Sequence, residues 1–212
     1  MANTEENMEE RILQAAEEMF MKQGFAKTTT AQIAKEAGCN QALVHYYYRT
    51  KDNLFNKIFE SKIGLVVSNL VSLNDSESNM SFEEKICKIV EIHFSFLTNN
   101  SRLVPFIVIE FASNPGRFKE IVESNLNRFR HMFFNKIEEE MEREIKSGHI
   151  ADITLAQLIQ DIVSLNVAAF LTHDTFQQAF GLSDEAMSSH MEERKQEITK
   201  VIKARLRPLQ NF

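Results

Sequence analysis

The sequence lacks the features that mark several common classes of protein. It contains only two cysteines, Cys39 and Cys87, and neither has a neighbour at metal-ligand spacing. A disulfide framework or zinc site is therefore not expected, and a reduced, cytoplasmic protein is the simple interpretation. Because no run of 18 or more apolar residues occurs, no membrane-spanning helix is expected. The polar, acidic N-terminus also differs from a signal peptide.

The sequence is also poor in catalytic patterns. It has no HxxxH or HExxH spacing, no glycine-rich phosphate loop and no nucleophile elbow. We therefore predict that the protein is not an enzyme and that it has no catalytic residues, no metal site and no cofactor. The histidines are scattered along the chain at His45, His93, His131, His149, His173 and His190.

No segment alternates between apolar and polar residues at every second position, as a half-buried strand would. Glycine is scarce, and four of the six glycines fall just past the ends of helical patterns. The sequence therefore predicts an all-α protein of about nine helices. We expect them at residues 5–23, from about 30 to Gly38, and at 41–48, 51–72, 81–98, 101–113, 117–146, 154–180 and 184–207.

Two short helices joined by a tight turn are predicted between residues 29 and 48. Thr29 and Gln32 form a capping box at the start of the first helix. Gly38 ends that helix, since glycine tolerates the left-handed conformation found there. Asn40 is a good N-cap for a second helix from Gln41. This arrangement predicts a helix-turn-helix, whose second helix enters the major groove of DNA.

The second helix should have an inner and an outer face. Val44 and Tyr48 are four residues apart and should pack inward. Glutamine can pair with adenine and alanine can meet a thymine methyl, so the outer face is a candidate base-reading surface. Leu43 faces either the groove or the protein. The predicted outer face consists of Gln41, Ala42, His45 and Tyr46.

Phosphate contacts are expected next to this surface. The amides at Thr29 and Thr30 lie at one helix start, where backbone N–H groups bind anions. Thr50 should cap a further helix, with Lys51 in its first turn as a second phosphate clamp. The alternative without DNA binding is that Tyr46, Tyr47 and Tyr48 are simply core and surface aromatic residues of a helical bundle.

The distribution of charge agrees with binding to DNA even though the net charge is −6. Residues 22–57 carry six basic and two acidic side chains, a local net charge of +4. Local charge, rather than total charge, sets the attraction to phosphates. The acidic residues are concentrated elsewhere, in the segments 5–18 and 138–144.

The run from Ile12 to Phe59 resembles the DNA-binding domain of the tetracycline-repressor (TetR) family. The resemblance lies in Gly24-Phe25, Thr29-Thr30, Ile33-Ala34, Ala37-Gly38, Tyr47-Tyr48, Thr50-Lys51 and Leu54-Phe55. It implies that Gln41, Ala42, His45 and Tyr46 contact bases and that Thr29, Thr30, Tyr47 and Lys51 contact phosphates. Many relatives carry Gly-Thr-Leu-Tyr where this chain has Ala42-Leu43-Val44-His45, so the resemblance implies no particular operator.

A second, larger domain should follow the first, with residues 1–50 binding DNA and residues 51–212 binding an effector and a second copy. Its many phenylalanines fit either a packed core with a subunit interface or an apolar chamber with a few polar groups. His93 and His173 are further polar candidates for such a chamber. The residues that we expect to line it are Phe94, Phe111, Phe133, Asn166 and Phe170.

The resemblance implies that the helices near 154–180 and 184–207 form a homodimer interface. The sequence and this resemblance together predict a transcriptional regulator, most simply a repressor that binds double-stranded DNA. The resemblance implies that a small effector releases it, and the phenylalanine-rich second domain suits a largely apolar one. The alternative is a helical protein-interaction module that retains the helix-turn-helix as a scaffold.

Overall fold

A computed structural model of the chain describes residues 2–76, 80–116, 119–120, 123 and 133–208, without the side chains of residues 2–7 and 74–76. Within these ranges the regular structure is helical and no strand occurs, which confirms the all-α prediction. Ten helices have defined bounds there. They are α1 (Ala2–Gln23), α2 (Thr30–Glu36), α3 (Gln41–Tyr48), α4 (Lys51–Ser76), α5 (Phe82–Asn99), α6 (Leu103–Ser113), α7 (Asn135–Lys146), α8 (Leu155–Leu171), α9 (His173–Phe180) and α10 (Asp184–Leu206).

The chain divides into two compact units. The first comprises Met1–Leu65 and Phe106–Asn125, and the second comprises Val66–Pro105 and Leu126–Phe212. The first part of α4 is thus grouped with the helices that precede it. The functional boundary expected between residues 50 and 51 remains a prediction.

The core of the first unit is built from α1, α2, α3 and the beginning of α4. Ile12, Ile33 and Leu54 are completely buried in it. A phenylalanine cluster joins its parts: the Phe20 ring lies 5.3 Å from that of Phe25 and 6.0 Å from that of Phe55. Burial of large aromatic side chains dominates the stability of small cores, so this cluster fixes how the short helices are placed.

The second unit has a core formed mainly by α5, α7, α8 and α10. The side chains of α8 that face this core recur every three or four residues, as the helical period requires. Asn166 and Phe170 lie on the same buried face as Ile162. The buried side chains of α8 are Leu155, Leu158, Ile162, Asn166 and Phe170.

The helix predicted over 154–180 is wrong as a single element, because it breaks at Thr172. The structure has α8 and α9 instead, with their axes bent by 49°. The Thr172 hydroxyl donates to the Ala168 carbonyl at 2.7 Å, and the Thr172 N–H donates to the same carbonyl at 3.1 Å. A threonine that bonds back to the preceding turn competes with the helical ladder and bends it.

The helix predicted over 117–146 is described only in part. Its C-terminal portion is α7, which ends before Gly148, while residues 117–118, 121–122 and 124–132 lie outside the described residues. Among the described helices, none alone has the length and apolar composition to cross a membrane. The bent pair α8–α9 meets that test by length and composition only.

Candidate functional site

The segment from Thr29 to Tyr48 forms the helix-turn-helix that the sequence predicts. The Thr29 hydroxyl accepts a hydrogen bond from the Gln32 N–H at 3.2 Å, and the Gln32 side-chain oxygen accepts one from the Thr29 N–H at 2.8 Å. The capping box is therefore present. Asn40 caps α3 by accepting the Leu43 N–H at 2.9 Å. Both helix starts are thus fixed by side chains next to them in sequence.

Gly38 makes the turn between α2 and α3 possible. Its φ is +67°, a conformation that side chains other than glycine rarely adopt. A Cβ at this position would also lie 2.9 Å from Nη2 of Arg11. That guanidinium donates a 2.8 Å hydrogen bond to the Ala37 carbonyl and so ties α1 to the end of α2.

The inner face of α3 anchors it to the first unit. Val44 and Tyr48 are buried there, as expected. The Tyr48 hydroxyl donates to the Glu9 carbonyl at 3.2 Å. Burial, with a smaller contribution from the Glu9 carboxylate, raises the pKa of Tyr48 to about 12. Leu43, whose direction was open, is partly buried against the same core.

The outer face of α3 is exposed over all the predicted base-contacting positions. Gln41, Ala42 and His45 are exposed, and Tyr46 is 77% exposed. The Tyr46 ring makes an edge-to-face contact with Tyr47 at 5.2 Å. These positions lie on one side of the helix, opposite the anchored side chains, so they can enter a groove together.

Hydrogen bonds connect the polar side chains of this face. Gln41 Nε2 lies 2.9 Å from the Thr30 hydroxyl and 3.3 Å from His45 Nε2. His45 Nδ1 lies 3.0 Å from the Arg49 carbonyl oxygen. The sequence predicted roles toward DNA for Thr30 and His45 but not that both contact Gln41. The contact with Thr30 exists only because α2 and α3 meet in the folded chain, whereas His45 is one turn from Gln41 on α3.

Arg49, which the sequence analysis did not single out, ends α3 with φ +61° and ψ −51°. The Thr50 N–H donates to the Tyr48 carbonyl at 2.6 Å across it, which makes a γ-turn with positive φ, a rare and strained form. The Asn53 N–H then donates to the Thr50 hydroxyl at 3.1 Å, so Thr50 caps α4 as predicted. This turn sets the direction in which α4 leaves the motif.

The predicted phosphate-contacting residues flank this surface. Thr29 is exposed, whereas Thr30 and Tyr47 are partly buried. The ammonium group of Lys51 is already engaged, since it donates 2.8 Å hydrogen bonds to the carbonyl oxygens of Phe25 and Thr28. An ammonium has three N–H donors, so one remains for a phosphate.

The residues predicted to line an effector chamber are divided between the two cores. Phe94, Phe133 and Phe170 are buried in the second unit, where the Phe94 and Phe170 rings lie 4.9 Å apart. Phe111 packs in the first unit, with its ring 5.4 Å from that of Phe59. Three of the four predicted phenylalanines therefore lie in the core of the second unit, the unit that also contains Asn166.

Asn166 is completely buried, and its amide is only half satisfied. Its Nδ2 lies 3.2 Å from the Val90 carbonyl oxygen and 3.0 Å from His93 Nδ1, but its buried Oδ1 has no partner among the described residues. Burial lowers the pKa of His93 to about 4. An unsatisfied buried acceptor costs about 1–3 kcal/mol, so this position is a candidate contact for a bound molecule.

A groove of about 260 Å³ lies where α8, α9 and α10 meet. Phe176, Met187 and Met191 give it an apolar wall, while His173 and His190 are also at its edge. His173, expected as a possible chamber residue, thus lines this groove and bonds to Asp174 at 2.8 Å through Nδ1.

Comparison with known proteins gives a consistent result. Residues 12–58 match the family "Bacterial regulatory proteins, tetR family". The chain is 22% identical over 179 residues to the fatty acid metabolism regulator protein of Bacillus subtilis (strain 168). That alignment covers 84% of this chain and 90% of the relative. It is 18% identical over 193 residues to IcaR of Staphylococcus aureus (strain Newman), the negative transcriptional regulator of the biofilm operon icaADBC. This second alignment covers 88% of this chain and 94% of IcaR.

A solved structure has a similar fold over most of the chain. FadR of Bacillus subtilis, in complex with stearoyl-CoA, superposes with a TM-score of 0.67 at 18% identity and covers 92% of this chain and 98% of that one. The exposed outer face of α3 and the matched residues 12–58 lie in the same segment. Residues 12–58 therefore match the tetR family of bacterial regulatory proteins, and the chain is a DNA-binding transcriptional regulator.

Proposed function

We propose that the protein is a repressor that binds its operator as a homodimer and is released by a small, largely apolar effector. The observation that carries the DNA-binding part is the outer face of α3. Its exposed side chains Gln41, Ala42, His45 and Tyr46 project from a helix anchored on the opposite side, and we assign base contacts to them.

The proposed phosphate contacts on either side of that face are Thr29, Thr30, Tyr47 and Lys51. Such contacts carry little sequence information but fix the register of the protein on the duplex. The local charge of +4 over residues 22–57 supports this assignment. Basic side chains that neutralise phosphates release the counterions bound to DNA, and this release favours binding. Affinity for any duplex should therefore fall as salt increases.

Dimerisation through α8 and α10 is proposed for two reasons. One short helix makes too few base contacts for specific binding, whereas two half-sites a helical turn apart multiply the effect. In addition, five of the eight large apolar side chains exposed among the described residues lie between residues 163 and 201. They are Val163, Leu171, Phe176, Phe180 and Val201.

The second unit is the proposed effector-binding unit. Phe94, Phe133 and Phe170 are buried in the core of this unit, and Asn166 is buried on the same helix as Phe170 with its Oδ1 unsatisfied among the described residues. A ligand that uses these groups would be mostly apolar with one hydrogen-bond donor. The B. subtilis FadR structure contains stearoyl-CoA, which supports a ligand with a long apolar part. Phe111, predicted for the same chamber, is not part of this proposal.

The proposed coupling uses α4, which contributes residues to both units. An effector changes operator occupancy only if it binds one conformation of the dimer more tightly than the other. A difference of about 100-fold, near 2.7 kcal/mol, would shift occupancy substantially. In this proposal the protein works beside the chromosome in the cytoplasm and performs no enzymatic reaction.

Fluorescence anisotropy with the full-length protein and the DNA upstream of its own gene tests the proposal. We expect salt-dependent binding to a specific site and a loss of about 1–3 kcal/mol for Gln41→Ala. Gln14→Ala, which changes an exposed glutamine of α1, is the matched control and should bind as the wild type does. Equal affinity of all three proteins for that site would refute the base contacts.

The effector part is tested separately by adding stearoyl-CoA, whose CoA part carries amide N–H donors, to the complex with DNA. Release from the wild type, and weaker release from Asn166→Leu, would support the core of the second unit as the binding site. Release that is equal in both proteins would reject Asn166 as a ligand contact while leaving DNA binding unaffected.

A further inference from the structure

The hydrogen bonds on the outer face of α3 determine which way the Gln41 side chain points. The chain of contacts begins at the Arg49 carbonyl oxygen, which can only accept. His45 Nδ1 lies 3.0 Å from it and must therefore carry the hydrogen. In a neutral imidazole the second nitrogen then has a lone pair, so His45 Nε2 is an acceptor.

The acceptor on His45 determines the orientation of the Gln41 amide. The Gln41 atom 3.3 Å from His45 Nε2 must donate, so it is the NH2 group. The same nitrogen lies 2.9 Å from the Thr30 hydroxyl, which takes its second hydrogen. Because both amide hydrogens are engaged, the carbonyl oxygen of this exposed side chain is the group left to meet DNA.

We propose that Thr30 is a positioning residue for sequence recognition. Together with His45 it holds the Gln41 amide with its carbonyl oxygen outward, so that α3 selects adenine or cytosine at one operator position. Adenine N6 and cytosine N4 are amino donors in the major groove. Guanine O6 and thymine O4 are acceptors there and would face another acceptor. This inference rests on the proposed binding of DNA bases by α3.

The geometry also limits how adenine can be read. A two-bond pairing of glutamine with adenine uses one amide hydrogen in addition to the carbonyl oxygen. Here that hydrogen is already bonded to Thr30 or His45, so the pairing would break an internal bond. A single bond from the base amino group to the Gln41 oxygen keeps the whole network intact, and it treats adenine and cytosine alike.

The role differs from the phosphate contact that the sequence predicts for Thr30. Loss of a phosphate contact weakens binding to every sequence by the same factor. Loss of the positioning bond lets the Gln41 amide turn over and offer its NH2 group to guanine or thymine. The ratio of the affinities for two different sequences therefore distinguishes the two roles, because a uniform weakening leaves that ratio unchanged.

The experiment uses full-length protein and a pool of random duplexes. Selection with the wild type gives the half-site, and Gln41→Ala identifies the position whose base preference depends on Gln41. Affinities are then measured for the four duplexes that differ only there, with wild type, Thr30→Val, Thr30→Ala and Thr30→Ser. Circular dichroism checks that each variant keeps its helical content.

We expect the wild type to prefer adenine or cytosine over guanine or thymine by about tenfold. Thr30→Val and Thr30→Ala should reduce this ratio below about threefold with no change at the other positions, and Thr30→Ser should retain it. A wild-type preference for guanine or thymine, no preference lost in Gln41→Ala, or a ratio retained without the hydroxyl would overturn the inference. If the wild type selects no sequence at all, the proposed function fails at the first step, and the inference fails with it.

Discussion

The ammonium nitrogen of Lys51 lies 4.2 Å from the centroid of the Phe25 ring and donates a 2.8 Å hydrogen bond to the Phe25 carbonyl oxygen. A second bond of the same length goes to the Thr28 carbonyl oxygen. The first residue of α4 therefore holds the segment between α1 and α2. A residue expected to bind phosphate also has a structural role, because its donors are shared.

Lys51→Met should reduce both stability and DNA affinity. It removes two hydrogen bonds from a charged donor, so we expect the free energy of unfolding in urea to fall by about 1.5–3 kcal/mol. The slope of log affinity against log salt should become smaller by about 1. Lys57→Met, at an exposed position of the same helix, should change stability by less than about 0.5 kcal/mol. Equal urea midpoints for the two variants would contradict the structural role.

Tyr46 and Tyr48 should give opposite results although they are two residues apart. Tyr46 is 77% exposed, so Tyr46→Ala should weaken operator binding by about 1–3 kcal/mol with little change in the unfolding free energy. Tyr48→Phe removes a buried hydroxyl bonded to the Glu9 carbonyl and should cost about 1 kcal/mol of stability. Anisotropy titrations and urea unfolding of both variants check this pairing, and similar profiles for the two would disprove it.

The parts of the fold that could be predicted are those encoded by neighbours in sequence. Thr29 with Gln32 forms the expected capping box, and two further capping boxes of the same spacing are formed by Ser81 with Glu84 and by Thr154 with Gln157. Each depends on residues three apart, so the sequence alone contains the complete interaction. The same is true of the exposed and buried faces of α3, which follow from the helical period.

Most of the features that were missed depend on groups far apart in the chain. The bend at Thr172 is a local exception: the Thr172 hydroxyl bonds to the Ala168 carbonyl four residues back, and nothing in the composition indicates that it does so. The bonds from Lys51 to Phe25 and from Gln41 to Thr30 join residues 26 and 11 positions apart. Asn166 was predicted to be a polar residue of the chamber. The sequence could not show that its side-chain oxygen lacks a hydrogen-bond partner among the described residues, because this depends on how the core packs.

Substitution of two exposed valines should separate the proposed dimer. Val163 on α8 and Val201 on α10 are 41% and 50% exposed, and charged residues there would be desolvated on association. We expect Val163→Glu with Val201→Glu to sediment as a monomer and to lose most affinity for a two-half-site operator. Ile109→Glu, at a 63% exposed apolar position in the first unit, is the control and should sediment as the wild type does. A double variant that remains dimeric would place the interface elsewhere.

The pH dependence of stability should reveal His93, the partly buried histidine of α5. Burial lowers the pKa of His93 to about 4, from 6.5 in the unfolded chain. Between these values the unfolded chain binds a proton that the folded chain does not, so stability must fall as the pH decreases. From pH 7 to pH 5 the loss attributable to His93 should be about 2 kcal/mol, since one unit of pKa corresponds to about 1.4 kcal/mol.

His93→Gln isolates this contribution, because glutamine can still accept the hydrogen bond from Asn166 but does not titrate. Urea unfolding of both proteins at pH 7 and pH 5 should show a smaller loss of stability in the variant. Parallel losses would mean that His93 is protonated in the folded protein, which would make its Nδ1 a donor facing the Asn166 amide nitrogen. The amide would then have to turn and present its oxygen to His93, and the unsatisfied acceptor proposed as a ligand contact would no longer exist.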